Sequence, residues 1–224
     1  MKNIVVFTGA GISAESGIGT FRDSGGLWEK HKIEDVADPE AFLKNPELVL
    51  NFYNIRRKQL LESSPNIAHI ELNRLQEKYN VLIITQNIDD LHERSGNTTV
   101  LHLHGKLREA KSTIDNKIYP IKDANLNIGD FCKKGGQLRP NVVWFGEAVP
   151  NMEIAINKVM QANIFIIIGT SLSVYPAASL LSYATESEKI ILIDPTAQNY
   201  DGVEVIREKA TSAVPKLVNQ LLNL

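Results

Sequence analysis

The chain has a single cysteine, Cys132, among 224 residues. That excludes an internal disulfide and a four-cysteine zinc site. Long apolar runs are also missing. The longest, such as Ile4–Phe7 and Ile164–Ile168, have strand length and fall far short of a bilayer span. Charge of one sign is lacking as well: the formal net charge is −2 and the sequence pI about 6.2. Nothing in that balance attracts nucleic acid or anionic lipid in general. Met1-Lys2-Asn3 runs directly into an apolar strand pattern with no leader-like stretch, so a cytoplasmic protein is expected. With 43% hydrophobic residues, a chain this long buries roughly 70% of its unfolded surface and needs no covalent or metal staple to fold.

The apolar content sits in short, β-branched runs: Ile4–Phe7, Val81–Thr85, Val100–Leu103, Val142–Phe145, Ile164–Ile168 and Ile190–Ile193. Most lack strict alternation, as strands covered on both faces do. Helical patterns separate them, ending in an amphipathic stretch from Ser212 to Leu222. The predicted class is therefore α/β with a mainly parallel, Rossmann-like sheet. Two gaps break the alternation. Before Val81 the chain shows helix starts at Asn45-Pro46, running to about Glu62, and at Ser64-Pro65, running to about Lys78. Between Gly105 and Arg139 helical periodicity is weak, and Asp115-Asn116 suits a hairpin turn. The expected organisation is a nucleotide-binding domain of residues 1–26, 80–104 and 140–224. A helical insertion (27–79) and a second insertion (105–139) would build a smaller lobe across a cleft.

Several segments carry chemistry. Gly9-Ala10-Gly11-Ile12-Ser13-Ala14 follows the first strand and has the G-x-G-x-x-A spacing. Its glycines permit a tight turn with close approach to a pyrophosphate, and a helix starting there would present free N–H groups to it. An ordinary strand–helix turn is the plainer alternative. The usual acid at the end of the second strand is absent. Asp194 could accept a ribose hydroxyl instead, or simply cap the turn before Pro195. The glycine-rich stretch Ser16–Gly26 reads as a loop carrying Phe21 and Arg22. One could shield a reactive sugar carbon and the other could pair with phosphate, or the loop could be plain surface. Gln86-Asn87-Ile88-Asp89-Asp90 lies at the carboxyl end of a strand, where parallel sheets bind ligands. Its amides and acids suit sugar hydroxyls and a carboxamide, although Asn87 or Asp89 could also cap a helix. In Leu101-His102-Leu103-His104-Gly105 both histidines share one face, and His104 closes the strand in the position of a possible general base.

Taken in order, Gly9–Gly17, Phe21-Arg22, Thr85–Asp89, His104-Gly105, Leu138-Arg139-Pro140, Val142–Glu147 and Gly169-Thr170-Ser171 closely resemble the sirtuins, NAD-dependent protein-lysine deacylases. The resemblance spans nearly the whole chain. It implies that Gly9, Ala10, Gly11, Ser13, Phe21, Arg22 and Trp28 bind NAD. Gln86, Asn87, Ile88 and Asp89 would line the nicotinamide and ribose pocket. Gly169, Thr170, Ser171, Asp194 and Ala210 would meet the adenosine side. His104 would be the general base, with Asn87 beside it as a catalytic residue. Val143, Phe145, Gly146 and Glu147, together with Leu172 and Val174, would hold an extended acyl-lysine peptide by strand addition. The implied products are nicotinamide, O-acyl-ADP-ribose and free lysine.

Tyr53 and Arg56 stand three apart on the first inserted helix, and the pair resembles the sirtuin branch that removes succinyl and malonyl as well as acetyl groups. A guanidinium and a phenol suit a distal carboxylate. Read without the resemblance, Arg56 would edge an amphipathic helix whose Leu48, Phe52 and Ile55 face inward. The chain departs from the family in its second insertion, which holds Cys132 alone and no histidine where most sirtuins carry two cysteine pairs. No zinc is expected. An apolar cluster of Leu107, Ile114, Ile118, Tyr119, Ile121, Leu126, Ile128 and Phe131 would have to hold the insertion. Gly19-Thr20 and Asp194 also differ from many members, which leaves the adenosine-ribose contact open. Rival readings are ADP-ribosyl transfer or NAD hydrolysis at the same turns, and a non-catalytic NAD or ADP-ribose sensor. Target proteins and oligomeric state are not legible.

Overall fold

The computed structural model describes residues 1–19, 31–121 and 123–223. Phe21, Arg22 and Trp28 therefore lie outside the described residues. Six strands form one parallel sheet in the order β3-β2-β1-β7-β8-β9. They are β1 (Asn3–Thr8), β2 (Asn80–Thr85), β3 (Val100–His102), β7 (Ile164–Ile168), β8 (Lys189–Ile193) and β9 (Glu204–Ile206). A second, antiparallel sheet joins β4 (Gly105–Ser112), β5 (Ile118–Pro120) and β6 (Leu138–Val142) in the order β5-β4-β6. Helices α1 (Ile33–Val36), α2 (Pro39–Lys44) and α3 (Pro46–Glu62) fill the first gap with α4 (Ile67–Arg74). The short α5 (Leu91–Arg94) follows β2, α6 (Met152–Met160) precedes β7, and α7 (Ala210–Leu222) ends the chain. This is the Rossmann-like architecture with a smaller lobe that the sequence predicts.

The central strands are apolar on both sides because both faces are covered. Ile4, Val6, Ile166 and Ile168 pack under α4 and α7, whereas Val5, Phe7, Phe165 and Ile167 face α6 and the 3-10 helix Ala177–Tyr183. The lobe has its own core, in which Phe42, Phe52, Tyr53 and Trp144 meet Leu107, Ala110 and Leu126. No helix among the described residues is long and apolar enough to cross a membrane.

Four local expectations need correction. No regular helix follows Gly11: the segment makes 3-10 turns at Ala10–Ile12 and Ala14–Ser16 and ends at Gly17, whose φ is 85°. The run Val142–Phe145 is not a strand, since β6 ends at Val142 and belongs to the small sheet. The helix expected at Ser64 is capped by Asn66, which accepts from Ala68 N–H while His69 reaches back to the Asn66 N–H. Finally, Ile55 is exposed on α3. In the second insertion Ile114, Ile118, Ile128 and Phe131 are exposed too, and only Leu107, Ile121 and Leu126 of the expected cluster are buried.

Polar bonds fasten that insertion instead. Arg57, fully buried on α3, donates to the carbonyls of Leu107 and Ala124 at 2.8 Å each and to Asn54 Oδ1. Asn54 exchanges two bonds with the backbone of Leu126. Cys132 is buried, and its sulfur accepts from Ser112 Oγ at 3.2 Å and Gly136 N–H at 3.3 Å. This donor set does not fit tetrahedral zinc, and no metal step is drawn through the insertion.

Candidate active site

All the parallel strands end on one side, and the segments singled out in the sequence gather there. The β1 turn docks on the β7 exit through Gly9 N–H to Ile168 O (3.0 Å) and Gly11 N–H to Gly169 O (2.8 Å). The two turns are so close that a Cβ on Gly11 would lie 2.7 Å from Gly169 Cα, and one on Gly169 would lie 2.4 Å from Ile12 N. The glycines are thus required first by the packing of backbone on backbone.

Beside this turn, the β2 exit forms a buried polar knot. Asn87 Nδ2 donates to Gly9 O (3.1 Å) and Ser13 Oγ (3.2 Å), and Ser13 Oγ donates to Asp89 Oδ2 (3.0 Å). Burial pushes the Asp89 carboxyl above its ordinary range, against the pull of the Leu91 N–H and the Ser13 hydroxyl. Beneath lie Thr8, Thr85, His69 and His92. Thr8 Oγ1 donates to Thr85 Oγ1 at 2.8 Å, His92 Nε2 sits 3.0 Å from Thr8 Oγ1, and the two imidazoles meet edge to face. Burial lowers the His69 pKa to about 4 and drives that of His92 well down, so both rings are neutral near pH 7.

His104 stands next to this knot. Its Nδ1 lies 3.0 Å from the Gln86 carbonyl, an atom that only accepts, so Nδ1 carries the proton. Nε2 keeps its lone pair. Burial lowers the His104 pKa, and the bond to Gln86 opposes this. The geometry gives a neutral imidazole with a fixed tautomer, the form a general base needs. Gln86 in turn donates from Nε2 to Thr170 Oγ1 at 3.1 Å, linking the β2 and β7 exits.

From His104 the site runs into the lobe. Its carbonyl accepts the Val143 N–H at 3.0 Å, and Leu107 N–H donates to Ile88 O at 2.7 Å. The loop after β6 is braced by Glu147, which receives both guanidinium arms of Arg139 and the Trp144 N–H. Arg139 stacks 3.4 Å from the Trp144 ring centroid, and Trp144 Nε1 donates to Tyr53 Oη at 3.0 Å. Phe145 and Gly146 are left exposed on that loop, as are Ser171 and Val174 after β7. Leu172 has φ 53° there. Tyr53 is buried, and desolvation pushes its phenol up to about 12, with the Arg56 charge opposing. Arg56 is half-buried with its guanidinium 5.9 Å from the Phe52 ring centroid. Desolvation weakens its hold on the proton, and Tyr53 and Asp89 oppose that shift.

The structure therefore brings Gly9, Gly11, Ser13, Gln86, Asn87, Asp89, His104 and Thr170 into one bonded cluster. Asp194 lies outside this cluster at the end of β8, where one carboxylate oxygen accepts the Thr196 N–H and hydroxyl at 2.8 Å each, the turn contact weighed in the sequence. Ala210 is buried at the start of α7. Sequence reasoning gave no role to Thr8, His69 and His92, because each is placed by a partner distant in sequence, and it quoted Thr85 and Arg139 only as part of the resembling motifs. The pairing of His102 and His104 on one face was the signal for His102, which is also tied to this cluster.

Comparison with known proteins agrees with this arrangement. The model of the Sir2 family matches residues 9–176. An NAD-dependent protein deacylase of Helicobacter pylori strain 26695 is 52% identical, over 100% of this chain and 99% of that protein. One of Bacteroides thetaiotaomicron is 49% identical, over 99% of each. A Sir2 homologue solved with NAD aligns at TM-score 0.89 and 38% identity, over 99% of this chain and 90% of that one. A Sir2 solved with a p53 peptide and NAD+ aligns at 0.82 and 29%, over 99% and 94%. From the docked glycine turns to the tautomer-fixed histidine and the full-length likeness, the chain belongs to the Sir2 family.

Proposed function

We propose that the protein is an NAD-dependent protein-lysine deacylase that removes acetyl groups and, through Tyr53 and Arg56, succinyl and malonyl groups. The observation that carries the reading is His104, neutral and held by Gln86 O with Nε2 as an acceptor, beside the Asn87–Asp89 knot. NAD, when bound, supplies a glycosidic bond to a cationic nicotinamide, which leaves as the substrate's acyl oxygen bonds to the same sugar carbon. The donor set fits that task. The docked turns at Gly9, Gly11 and Gly169, whose own N–H groups are bonded to the carbonyls of Ile168, Gly169 and Ile193, give a floor free of side chains on which a pyrophosphate can approach closely. On this reading Arg22 supplies its charge partner, and Thr170 and Ser171 add hydroxyls toward the adenosine side. Ser13, Asn87 and Asp89 offer an amide, a hydroxyl and a carboxyl to a carboxamide and ribose hydroxyls. His104 Nε2 takes a proton from a ribose hydroxyl, whose oxygen bonds to the acyl carbon as the carbon–nitrogen bond to lysine breaks and the amine leaves protonated. One water, admitted after nicotinamide has left, then adds to the acyl carbon, so that the acyl group stays on one sugar oxygen and the other is released as a hydroxyl. Enclosure between sheet and lobe keeps water from the electrophilic centre.

The peptide lies along Val143–Glu147 and Leu172–Val174, paired through backbone, so side-chain sequence is read loosely. Arg56 is the charge for a distal carboxylate, and a charged hydrogen bond of about 1.5–3 kcal/mol gives a preference of about 10- to 150-fold. The protein works without zinc, its second insertion held by Arg57 and Asn54, and it acts in the cytoplasm. Mass spectrometry of products from NAD with acetyl- and succinyl-lysine peptides tests the reading. Free lysine, nicotinamide and O-acyl-ADP-ribose are expected. ADP-ribose released without any acyl peptide, the peptide remaining intact, would turn the assignment to NAD hydrolysis.

A further inference from the structure

His102 is the last residue of β3 and is buried, whereas His104, two residues on in the bend after the strand, is half-buried at the site. Its Nδ1 lies 3.0 Å from the Asn87 carbonyl and its Nε2 2.8 Å from Glu93 Oε1. A carbonyl cannot donate. Glu93 is ionised: burial raises its pKa, but the His102 bond, the His102 charge and the Lys106 bond more than offset this and bring it to about 2. Lys106 Nζ meets the same Glu93 oxygen at 2.9 Å. Both ring nitrogens of His102 are thus engaged, Nδ1 by the Asn87 carbonyl and Nε2 by Glu93. Its backbone is placed independently, because Asn151 Nδ2 donates to His102 O at 2.8 Å.

The two histidines thus grip consecutive carbonyls, His104 that of Gln86 and His102 that of Asn87. We propose that His102, anchored by Glu93, is a positioning residue that fixes the Asn87 peptide and so aims the Asn87 and Asp89 side chains into the nicotinamide pocket. The inference rests on the roles given above to Asn87 and His104 and deepens them. It acts on orientation alone, since the ring touches no reacting atom. Displacement of a catalytic group by about 1 Å costs up to about 10²-fold in rate.

Asparagine and glutamine separate the two ends of the ring. An asparagine amide nitrogen sits where Nδ1 does and keeps the bond to Asn87 O. A glutamine amide nitrogen sits where Nε2 does and keeps only the Glu93 side. The test compares His102→Asn, His102→Gln and His102→Leu in the full chain. The readouts are acyl-peptide-dependent nicotinamide release and the Kd of ADP-ribose by calorimetry. The expected result is kcat within about threefold of the parent for His102→Asn and about 10- to 100-fold lower for His102→Gln and His102→Leu. Peptide KM and ADP-ribose Kd stay within about twofold of the parent in every variant. Equal losses in the asparagine and glutamine variants, or parental kcat in His102→Gln, would overturn the proposal. If the leucine variant fails to fold, the asparagine–glutamine contrast still decides. Asn87→Ala and His104→Ala run alongside: if they lose turnover while His102→Gln does not, this inference alone is wrong. Parental turnover in Asn87→Ala defeats the pocket reading itself.

Discussion

Trp144 donates its indole N–H to the hydroxyl of Tyr53 at 3.0 Å, across the core of the small lobe. One lone pair of the phenol is thereby occupied, which leaves the phenolic hydrogen as the group Tyr53 can give. The Arg139 stack and the Glu147 brace hold Trp144 in place, so the loop that offers backbone to a peptide is tied to the residue that would read the acyl chain.

Acyl preference follows from that arrangement. Arg56→Met removes the charge while keeping the aliphatic stem, and Tyr53→Phe removes only the hydroxyl. The succinyl-to-acetyl ratio of kcat/KM is expected to fall about 10- to 150-fold in Arg56→Met, with acetyl turnover little changed. Tyr53→Phe leaves the Trp144 N–H unpaired in the core and should cost about 1–3 kcal/mol in stability besides a smaller loss of the ratio. Competition kinetics on mixed peptides reads the ratio directly, and an unchanged ratio in Arg56→Met removes the guanidinium from acyl recognition.

If His104 is the general base proposed above, it sets the acid limb of activity, because it must be neutral to accept a proton. Burial holds its pKa below the ordinary value of 6.5. The half-point of the acid limb in turnover at saturating substrates should therefore lie below about pH 6.5. His104→Ala should lose about 10²- to 10⁴-fold in kcat and show no such limb.

Stability responds to acid through a different histidine. Burial in the folded chain lowers the His69 pKa to about 4 from its ordinary 6.5. Between those values the unfolded chain takes up a proton that the folded chain refuses, so the stabilisation is full above pH 6.5 and is lost as pH falls toward 4. The loss amounts to about 3 kcal/mol over that window. Urea unfolding at pH 7 and pH 4.5 measures it. His69→Gln should reduce the slope and leave the share carried by His92, whose pKa burial also drives well down; an unchanged slope would shift the acid sensitivity to other groups.

The second insertion should depend on Arg57 rather than on metal. Arg57→Met strands the carbonyls of Leu107 and Ala124 and leaves the Asn54 amide oxygen with the Leu126 N–H alone, and should cost about 3–5 kcal/mol. For a chain of this size that lowers Tm by roughly 6–20 °C. Elemental analysis of the purified protein is expected to find no stoichiometric zinc, and a chelator should leave Tm unmoved. One zinc per chain would refute this account of the lobe.

The sheet was legible because its strands are covered on both faces: Ile164–Ile168 is apolar throughout and every one of its residues is buried. The β2 exit and His104 were legible by place, since the carboxyl ends of parallel strands are where such sheets bind ligands and both segments sit at such an end. What misled was local pattern overruled by distant contacts. Val142–Phe145 looks like a strand, yet Trp144 is spent on Tyr53 and Phe42 while the real strand contains Arg139 and Pro140. Pro140 is tolerated there because β6 is an edge of its sheet. The expected apolar cluster in the second insertion failed because Arg57 and Asn54, far away in sequence, supply the hold. The bonds of His102 to Asn87 and Glu93 depend on a strand, a loop and a helix that only the fold brings together.

The glycine turn offers the last prediction, because its close approach separates packing from ligand binding. Gly169 has φ 64°, and an added Cβ would meet Ile12 N at 2.4 Å and Gly11 C at 2.7 Å, both backbone atoms that cannot step aside. Gly169→Ala should therefore cost about 1–2 kcal/mol for the left-handed backbone and about 1–3 kcal/mol for the clash, and it should weaken ADP-ribose binding as the two turns part. Gly202 is the matched control. Its φ is 73° but no atom lies within 4 Å of its added Cβ, so Gly202→Ala should pay the backbone cost alone and bind ADP-ribose as the parent does. Thermal unfolding and calorimetry on the pair give both numbers. If Gly169→Ala behaves like Gly202→Ala in both, the docking of the β1 and β7 turns is not what shapes the nucleotide cradle.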